Sequence, residues 1–259
     1  MSRARLRRYA LVAVALVALA AAAGASGRGA LVEVDNLILR ADGAFEPRKL
    51  PRGRFVPLEF EGHASITSKD GTRPVPLRQL IVDFDHDGRI SVEGLPTCPP
   101  ARIANATVAE ARQLCRGALV GEGEVRAQIA LTTGLFEASS PLTVFNGPPL
   151  EGRPSAVLHA HFTEPGTQTF AIPAPIERRR GEYRYRVTLD LPPIAAGLGS
   201  LSAIEVEIGR RYRFEGKRRS YVSARCSDNL LRTHGRFSFE DGTVIDGAVT
   251  KFCYSLPPG

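Results

Sequence analysis

The stretch Leu201-Ser-Ala-Ile-Glu-Val-Glu-Ile208 begins the part of the chain that decides the fold, a part that continues to Cys253. Its aliphatic residues alternate with Glu205 and Glu207. Three further short segments rich in β-branched and aromatic residues follow, at 221–226, 235–239 and 244–253. Gly, Asp and charged turns separate them. Short alternating segments that are broken by turn residues are typical of antiparallel strands.

The same alternation recurs along the rest of the chain, most clearly in the segment 183–191. There, aromatic and aliphatic residues alternate with polar ones that include Arg184 and Arg186. If this strand pairs antiparallel with the strand that contains Glu205 and Glu207, opposite charges face each other across the two strands.

One helix is predicted, near 107–116. Thr107 and Glu110 have the spacing of a capping box, in which each side chain binds the backbone N–H of the other residue. Apolar residues then share one helical face, and Gly117 ends the helix. With strands on both sides of this segment, the sequence predicts an all-β fold: an antiparallel β-sandwich or barrel with one short helix.

The N-terminal residues 1–25 have the pattern of a secretory signal peptide. Four arginines precede an apolar run from Ala10 to Ala23, and Ala23-Gly24-Ala25 offers a cleavage site. We therefore predict a Sec-type signal, no transmembrane segment after its removal, and a secreted or extracytoplasmic protein. Without the four arginines, 30 basic residues face 27 acidic ones, so the net charge falls from +7 to +3.

The remaining chain, 30–259, is long enough to bury a large core. No linker divides it clearly, so we predict a single β-rich domain with one weak possible seam near residue 150. The chain has no tryptophan, and Met1 is its single methionine. The core must therefore be built from aliphatic residues, alanine, phenylalanine and tyrosine.

The four cysteines allow three pairings. Export makes their oxidation the expected state. We expect Cys98–Cys115 and Cys226–Cys253, because each pair is close in sequence and encloses one compact unit. The alternative of four thiolates on one metal needs C-x-x-C spacing, which the sequence does not have.

Several stretches together resemble a group of secreted proteins of actinobacteria. They are Leu95-Pro-Thr-Cys98, Cys115-Arg-Gly-Ala-Leu-Val-Gly-Glu-Gly123, Phe145-Asn-Gly147, Gly197-Leu-Gly-Ser-Leu201, Lys217-Arg-Arg-Ser-Tyr-Val-Ser-Ala-Arg-Cys226 and Phe237-Ser-Phe-Glu-Asp-Gly-Thr243. The resemblance covers most of the chain after the signal. It implies export and a single unit, and it implies no ligand and no catalytic residue.

A calcium-loop pattern is present at Asp83-x-Asp85-x-Asp87-Gly88. Alternating carboxylates can converge on one cation, and the glycine permits the sharp bend. The position of the bidentate glutamate holds Gly94 instead, and the flanking segments are strand-like. The alternative is a β-hairpin tip rich in turn-forming residues. We expect no cofactor, with calcium at this loop as the open alternative.

A second candidate metal site is His159-Ala-His161, which places two imidazoles on one face of a strand with Glu164 close behind. Such a pair can hold a metal that activates water. Two histidines on an antiparallel strand also occur without any metal, and that interpretation stays open.

Basic residues concentrate between Arg178 and Arg236, where 14 of them face six acidic residues. We expect them to lie mainly at strand ends and to share one rim. Clustered arginines suit phosphate or carboxylate partners, here anionic envelope polymers or lipid head groups. Nucleic acid is not an expected partner of an exported protein. The candidate anion-binding residues are Arg210, Arg211, Lys217, Arg218 and Arg219.

The sequence contains no G-x-S-x-G elbow and no acid pair in a supporting context. We therefore expect an exported non-catalytic protein that acts at the cell envelope or outside it and binds an anionic surface or polymer. One alternative is a metal-assisted enzyme that uses His159 and His161. The other is a purely structural accessory module.

Overall fold

A computed structural model describes residues 29–256 of the chain. Its strands are β1 (Ala30–Val34), β2 (Leu37–Glu46), β3 (Lys49–Pro51), β4 (Val56–Pro57), β5 (Glu59–Ser68), β6 (Leu77–Asp85), β7 (Gly88–Ile90), β8 (Leu119–Leu131), β9 (Gly134–Leu150), β10 (Arg153–Phe162), β11 (Gln168–Arg178), β12 (Tyr183–Asp190), β13 (Gly199–Ile208), β14 (Arg211–Phe214), β15 (Lys217–Ser220), β16 (Val222–Ala224), β17 (Leu230–Phe239), β18 (Val244–Phe252) and β19 (Tyr254–Leu256). The helices are α1 (Pro100–Ile103) and α2 (Val108–Leu114), with 3-10 turns at Arg116–Ala118 and Ala195–Gly197.

Twelve of these strands form one antiparallel sheet, which confirms the predicted all-β class. Its order is β1-β2-β5-β13-β8-β9-β10-β11-β12-β6-β17-β18. The predicted signal peptide lies outside the described residues. The predicted seam near residue 150 falls at the tight turn between β9 and β10, which are neighbours in the sheet.

The sheet curls until its first and last strands meet, so that it is nearly barrel-shaped. A Cβ atom added at Gly247 in β18 would lie 3.5 Å from the Cβ of Ala30 in β1. Beside this contact, the ammonium group of Lys251 in β18 lies 2.6 Å from Oδ1 of Asp42 in β2. Contacts of the last strand, β18, with β1 and β2 therefore bring the two edges of the sheet together.

The inside of the barrel is filled by apolar side chains that alternate along the strands. Its largest cluster includes Leu39, Ile66, Ala127, Leu142 and Phe237. The cavity left among such side chains measures about 50 Å³. That volume is close to the space of one or two water molecules, so the apolar interior is well packed.

The helices cover the outer face of β9 and β10. The predicted capping box is confirmed: Glu110 N–H donates to Oγ1 of Thr107 at 3.3 Å, and the Thr107 N–H donates to Glu110 at 2.8 Å. The predicted Cys98–Cys115 disulfide is also present and joins the loop before α1 to the end of α2. Helix α1 was not predicted, because it is only one turn long and has no periodic pattern of its own.

The second predicted disulfide, Cys226–Cys253, lies at one end of the barrel. It packs there in a small apolar cluster with Phe45, Leu50 and Leu58. Two short sheets complete this end, the parallel pair β19-β3 and the three-stranded β4-β16-β7. A cross-link at this place ties β18 to the segment that leads into β17.

The strands between Leu201 and Cys253 are not neighbours in the sheet, because β13 lies between β5 and β8 whereas β17 and β18 lie beside β6. Strand β12 pairs with β6 and β11, not with β13. Glu205 instead accepts a hydrogen bond from Arg126 at 2.9 Å, on the neighbouring strand β8. The alternation of charge in β12 and β13 is compatible with several neighbouring strands, so it does not identify the strand that pairs with each of them.

Within residues 29–256, no helix combines the length and the apolar character that a membrane span requires.

Candidate functional site

Most of the site residues that the sequence predicted lie at one end of the barrel. Strand β6 ends there at Asp85, opposite Tyr183 at the start of β12. Strand β11 ends there too, with Arg178 opposite Tyr185. The turn between β11 and β12, the turn after β6 and the Cys226–Cys253 disulfide are therefore neighbours. We call this the basic end of the barrel.

The three aspartates of the calcium-like pattern are all buried at the basic end. Asp83 accepts two hydrogen bonds from Arg186, at 2.8 and 2.7 Å. Asp85 accepts from the backbone N–H of Arg232 at 2.9 Å, and the guanidinium group of that arginine lies 3.4 Å away. Each of these carboxylates thus has as its partner an arginine that is distant in sequence and lies on a strand adjacent to β6.

Asp87 completes the series. It is fully buried and accepts from Nε of Arg225 and from the backbone N–H of Ser227, both at 2.6 Å. A buried carboxylate needs such partners because an unpaired charge is costly away from water. The alternating aspartates therefore stabilise the connections from β6 to β12, to β17 and to the segment after β16.

The pKa values of these groups follow from their partners. Hydrogen bonds from Arg186 lower the pKa of Asp83. Burial raises the pKa of Asp87, but hydrogen bonds from Ser227 and Arg225 outweigh it and leave that pKa lowered. For Asp85 burial is the larger effect, and its pKa is raised. Asp83 and Asp87 therefore hold their negative charge more firmly than a carboxylate in water does.

A candidate cation-binding group remains at the tip. Among the described residues, Asp85, His86 and Asp87 are the one group of three or more potential ligands whose ligand atoms lie within 4.8 Å of one another. Asp83 is not part of it. Nδ1 of His86 lies 3.1 Å from Asp85 and Nε2 lies 3.5 Å from Asp87, so each ring nitrogen faces one of the two carboxylates. Calcium at this loop stays the untested alternative to the prediction of no cofactor.

The basic hairpin, which we define as β14, β15 and the turn between them, projects at the same end. Pairing of Arg213 with Arg218 and of Arg211 with Ser220 places three arginines on one face of the hairpin. All three are exposed, as is Lys217 at the turn. Among these four residues, only Arg211 forms an ion pair with a described residue: its guanidinium group lies 3.7 Å from the Glu59 carboxylate. The hairpin therefore presents part of the predicted set of basic residues on one exposed face.

The opposite face of the hairpin rests on the barrel. The Tyr212 hydroxyl donates to the Glu93 carbonyl at 2.8 Å. A Cβ at Gly94 would lie 2.2 Å from the Phe214 ring, so only glycine leaves room for that ring. These contacts hold the aromatic residues inward and the arginines outward. The hairpin is therefore a positioned basic surface.

The predicted anion-binding residues divide into two sets. Arg211, Lys217 and Arg218 are exposed, as anion binding would require. Arg210 and Arg219 are half-buried, and the Nε atom of each is buried without a hydrogen-bond partner in the described part of the chain. The sequence-based list omitted Arg213. Its spacing of two residues from Arg211 on a strand would have identified it.

A second cluster of arginines surrounds Phe55, which precedes β4 and is half-buried. The guanidinium carbons of Arg184, Arg225 and Arg89 lie 5.1, 5.3 and 5.8 Å from the centroid of this one ring. Each distance is within the range of a cation–π contact. Sequence reasoning missed this cluster, because its four members come from four separate parts of the chain.

The histidine pair lies far from these groups, under the helical cap on the outer face of β10. His159 is fully buried, and its Nε2 lies 3.0 Å from the Ala106 carbonyl oxygen. His161 has its Nδ1 2.7 Å from the Thr169 hydroxyl. Burial lowers the pKa of His159. The structure does not bring His159, His161 and Glu164 together as a set of ligands, and His159 holds the cap onto the barrel.

Comparison of the chain with protein-family models, with curated proteins and with solved structures gives no match. The two disulfides indicate an extracytoplasmic location, because thiols in the cytosol are kept reduced.

Proposed function

We propose that the protein is exported by its N-terminal Sec-type signal and binds an anionic polymer of the cell envelope, without catalysis, through the basic end of the barrel. The observation that carries this proposal is the exposed face of the basic hairpin. Arg211, Arg213 and Arg218 share that face, Lys217 is exposed at the turn, and Glu215 is the single acidic residue of the hairpin.

The charge distribution supports a binding role more than a role in stability. Arginines that stabilise this barrel have close acidic partners, as Arg186 has in Asp83 and Arg236 has in Asp246. Among the outward arginines of the hairpin, Arg213 and Arg218 form no ion pair with a described residue, and the Arg211–Glu59 contact is long, at 3.7 Å. Like charges held close together repel, and an oxyanion-bearing partner removes that repulsion.

A polymer is favoured over a lipid surface because the hairpin offers charge without apolar anchors. Its aromatic residues, Tyr212 and Phe214, face the barrel. Guanidinium groups form paired hydrogen bonds with phosphate, sulfate and carboxylate. A row of them suits repeated acidic groups along a chain. Binding through exposed charges should weaken steeply as salt is added.

The test is retention on immobilised polyanions, with heparin and polyphosphate as the probes. The variant Arg213→Glu/Arg218→Glu reverses two charges on the hairpin. The matched control, Arg40→Glu/Arg78→Glu, makes the same change in net charge at two exposed arginines on the barrel wall. We expect the hairpin variant to elute at clearly lower salt than both the wild type and the control.

If both variants elute together, retention reflects net charge alone and the proposal fails. Vesicles that contain phosphatidylglycerol provide a second arm. Hairpin-dependent binding to vesicles without binding to either polymer would replace the polymer with a lipid surface as the partner.

A further inference from the structure

We infer that Phe55 and the arginines around it form a discrete site for one tetrahedral oxyanion, such as a phosphate group of a polymer that the basic end binds. This inference deepens the proposed function and rests on it for the source of the anion. The site itself is defined by Arg89, Arg184 and Arg225, and it does not include the basic hairpin.

The three-stranded sheet β4-β16-β7 places two of the arginines beside the ring. Ala224 in β16 pairs with Val56 in β4 and with Gly88 in β7. Phe55 precedes Val56 and Arg225 follows Ala224, so the two residues leave the sheet side by side. Arg89 is opposite Ser223, one position along. The backbone of this small sheet therefore fixes the relative positions of these groups.

The third arginine reaches the ring from the barrel itself. The pairing of β12 with β6 shifts between Tyr183, opposite Asp85, and Tyr185, opposite Phe84. Arg184 is thus the extra residue of a β-bulge. Bulges redirect side chains and are frequent beside binding sites. Here the bulge coincides with the arginine that lies nearest the Phe55 centroid, at 5.1 Å.

The charges around the ring do not cancel. Arg225 is compensated, because its Nε lies 2.6 Å from the Asp87 carboxylate. Arg89 and Arg184 form no ion pair with any described residue. Their distances from the shared centroid, 5.8 and 5.1 Å, limit the separation of their guanidinium carbons to about 11 Å. Two positive charges without an acidic partner therefore lie within about 11 Å of each other at a half-buried ring.

Cation–π contact with Phe55 offsets only part of this repulsion. An anion between the two guanidinium groups would offset the rest. A carboxylate has two oxygens in one plane and matches a single guanidinium fork. A phosphate or sulfate group has oxygens on several sides and can accept from arginines that approach from different strands. The convergence of Arg89 and Arg184 from β7 and β12 therefore favours the tetrahedral oxyanion.

The site can be tested by isothermal titration with inorganic phosphate in 150 mM sodium chloride. The protein is expressed from residue 29 onward. We expect saturable binding of one phosphate per chain, and binding at least tenfold weaker in Arg184→Gln and in Arg89→Gln. The control Arg78→Gln should bind phosphate as the wild type does. Phe55→Leu removes the π face without removing charge and should weaken binding by a smaller factor. Melting curves establish that each variant is folded.

Three results would overturn the inference: no saturable phosphate binding by the folded wild type, equal affinity in wild type and Arg184→Gln, or equal affinity for acetate and phosphate. The hairpin variant Arg213→Glu/Arg218→Glu separates this inference from the proposed function. Hairpin-dependent retention on polymers without phosphate binding leaves the proposed function standing and removes the site. Phosphate binding that needs Arg184, without retention on polymers, keeps the site and removes the polymer function.

Discussion

Arg186 and Asp83 face each other in register on β12 and β6, and they form a two-pronged ion pair although 103 positions separate them in the sequence. The carboxylate is buried, whereas the arginine side chain keeps 31% of its surface exposed. This pair belongs to the series in which Asp85 and Asp87 also have arginine partners. It joins two neighbouring strands at the end of the barrel that carries the proposed binding surface.

Removal of either partner should destabilise the barrel. We expect Asp83→Asn to lower the free energy of unfolding by about 2 kcal/mol, because charge-assisted hydrogen bonds are lost. Arg186→Gln should cost about 3 kcal/mol, since it leaves a buried carboxylate unpaired and only partly reached by water. Urea unfolding of both single variants and the double variant measures the coupling.

The exposed pair Arg126–Glu205 is the control, and Glu205→Gln should cost less than about 1 kcal/mol. If Asp83→Asn and Arg186→Gln lower the free energy of unfolding by no more than Glu205→Gln does, Asp83 has no structural role.

Acid should destabilise the protein through the same carboxylates. The pKa values of Asp83 and Asp87 lie below their usual value of 3.8, so their contribution to stability is complete above that pH and is lost as the pH falls through the folded-state pKa. The raised pKa of Asp85 acts in the opposite sense and makes the loss shallower. Melting temperatures measured from pH 5 to pH 2 should fall in the wild type and fall less in Asp83→Asn/Asp87→Asn. Parallel curves for the two proteins would assign the acid sensitivity to other groups.

His159 should make the helical cap sensitive to mild acid. Its pKa is lowered below the usual value of 6.5 by burial, so the unfolded chain takes up a proton more readily than the folded protein does. Stability should therefore decrease as the pH falls from 7 towards 5. His159→Gln should remove this slope and cost about 1 kcal/mol at pH 7, where the contact with the Ala106 carbonyl is lost or weakened. The exposed His63→Gln is the control. An unchanged slope in His159→Gln would show that another group titrates in this range.

Calcium should leave the melting temperature unchanged. The ion takes six to eight oxygen ligands, whereas Asp83 and Asp87 are held by Arg186 and Arg225, and Nδ1 of His86 lies 3.1 Å from Asp85. Thermal unfolding with excess calcium and with chelator tests this prediction. Stabilisation by calcium that disappears in Asp87→Asn would instead establish the tip as a cation site.

The sequence predicted features that depend on short stretches of chain. Alternation identified the strands, the spacing of Thr107 and Glu110 located α2, and closeness in sequence selected both disulfides correctly. The basic surface was predicted in part, because exposed Arg211 and Arg218 lie on one short hairpin. Each of these features is decided by neighbours within about thirty residues, where local geometry and loop closure limit the alternatives.

The amino-acid sequence by itself determined the strand class, the capped helix, the disulfide-closed loops and the surplus of arginine. Only the tertiary structure decided which strands are neighbours, and with them the partners of the buried aspartates and the arginines around Phe55. Asp87 and Arg225 are 138 positions apart, and several pairings would have satisfied the same alternation of charge and apolar residues. The choice among them depends on closing one packed barrel interior, a property of all twelve strands together that no single segment encodes.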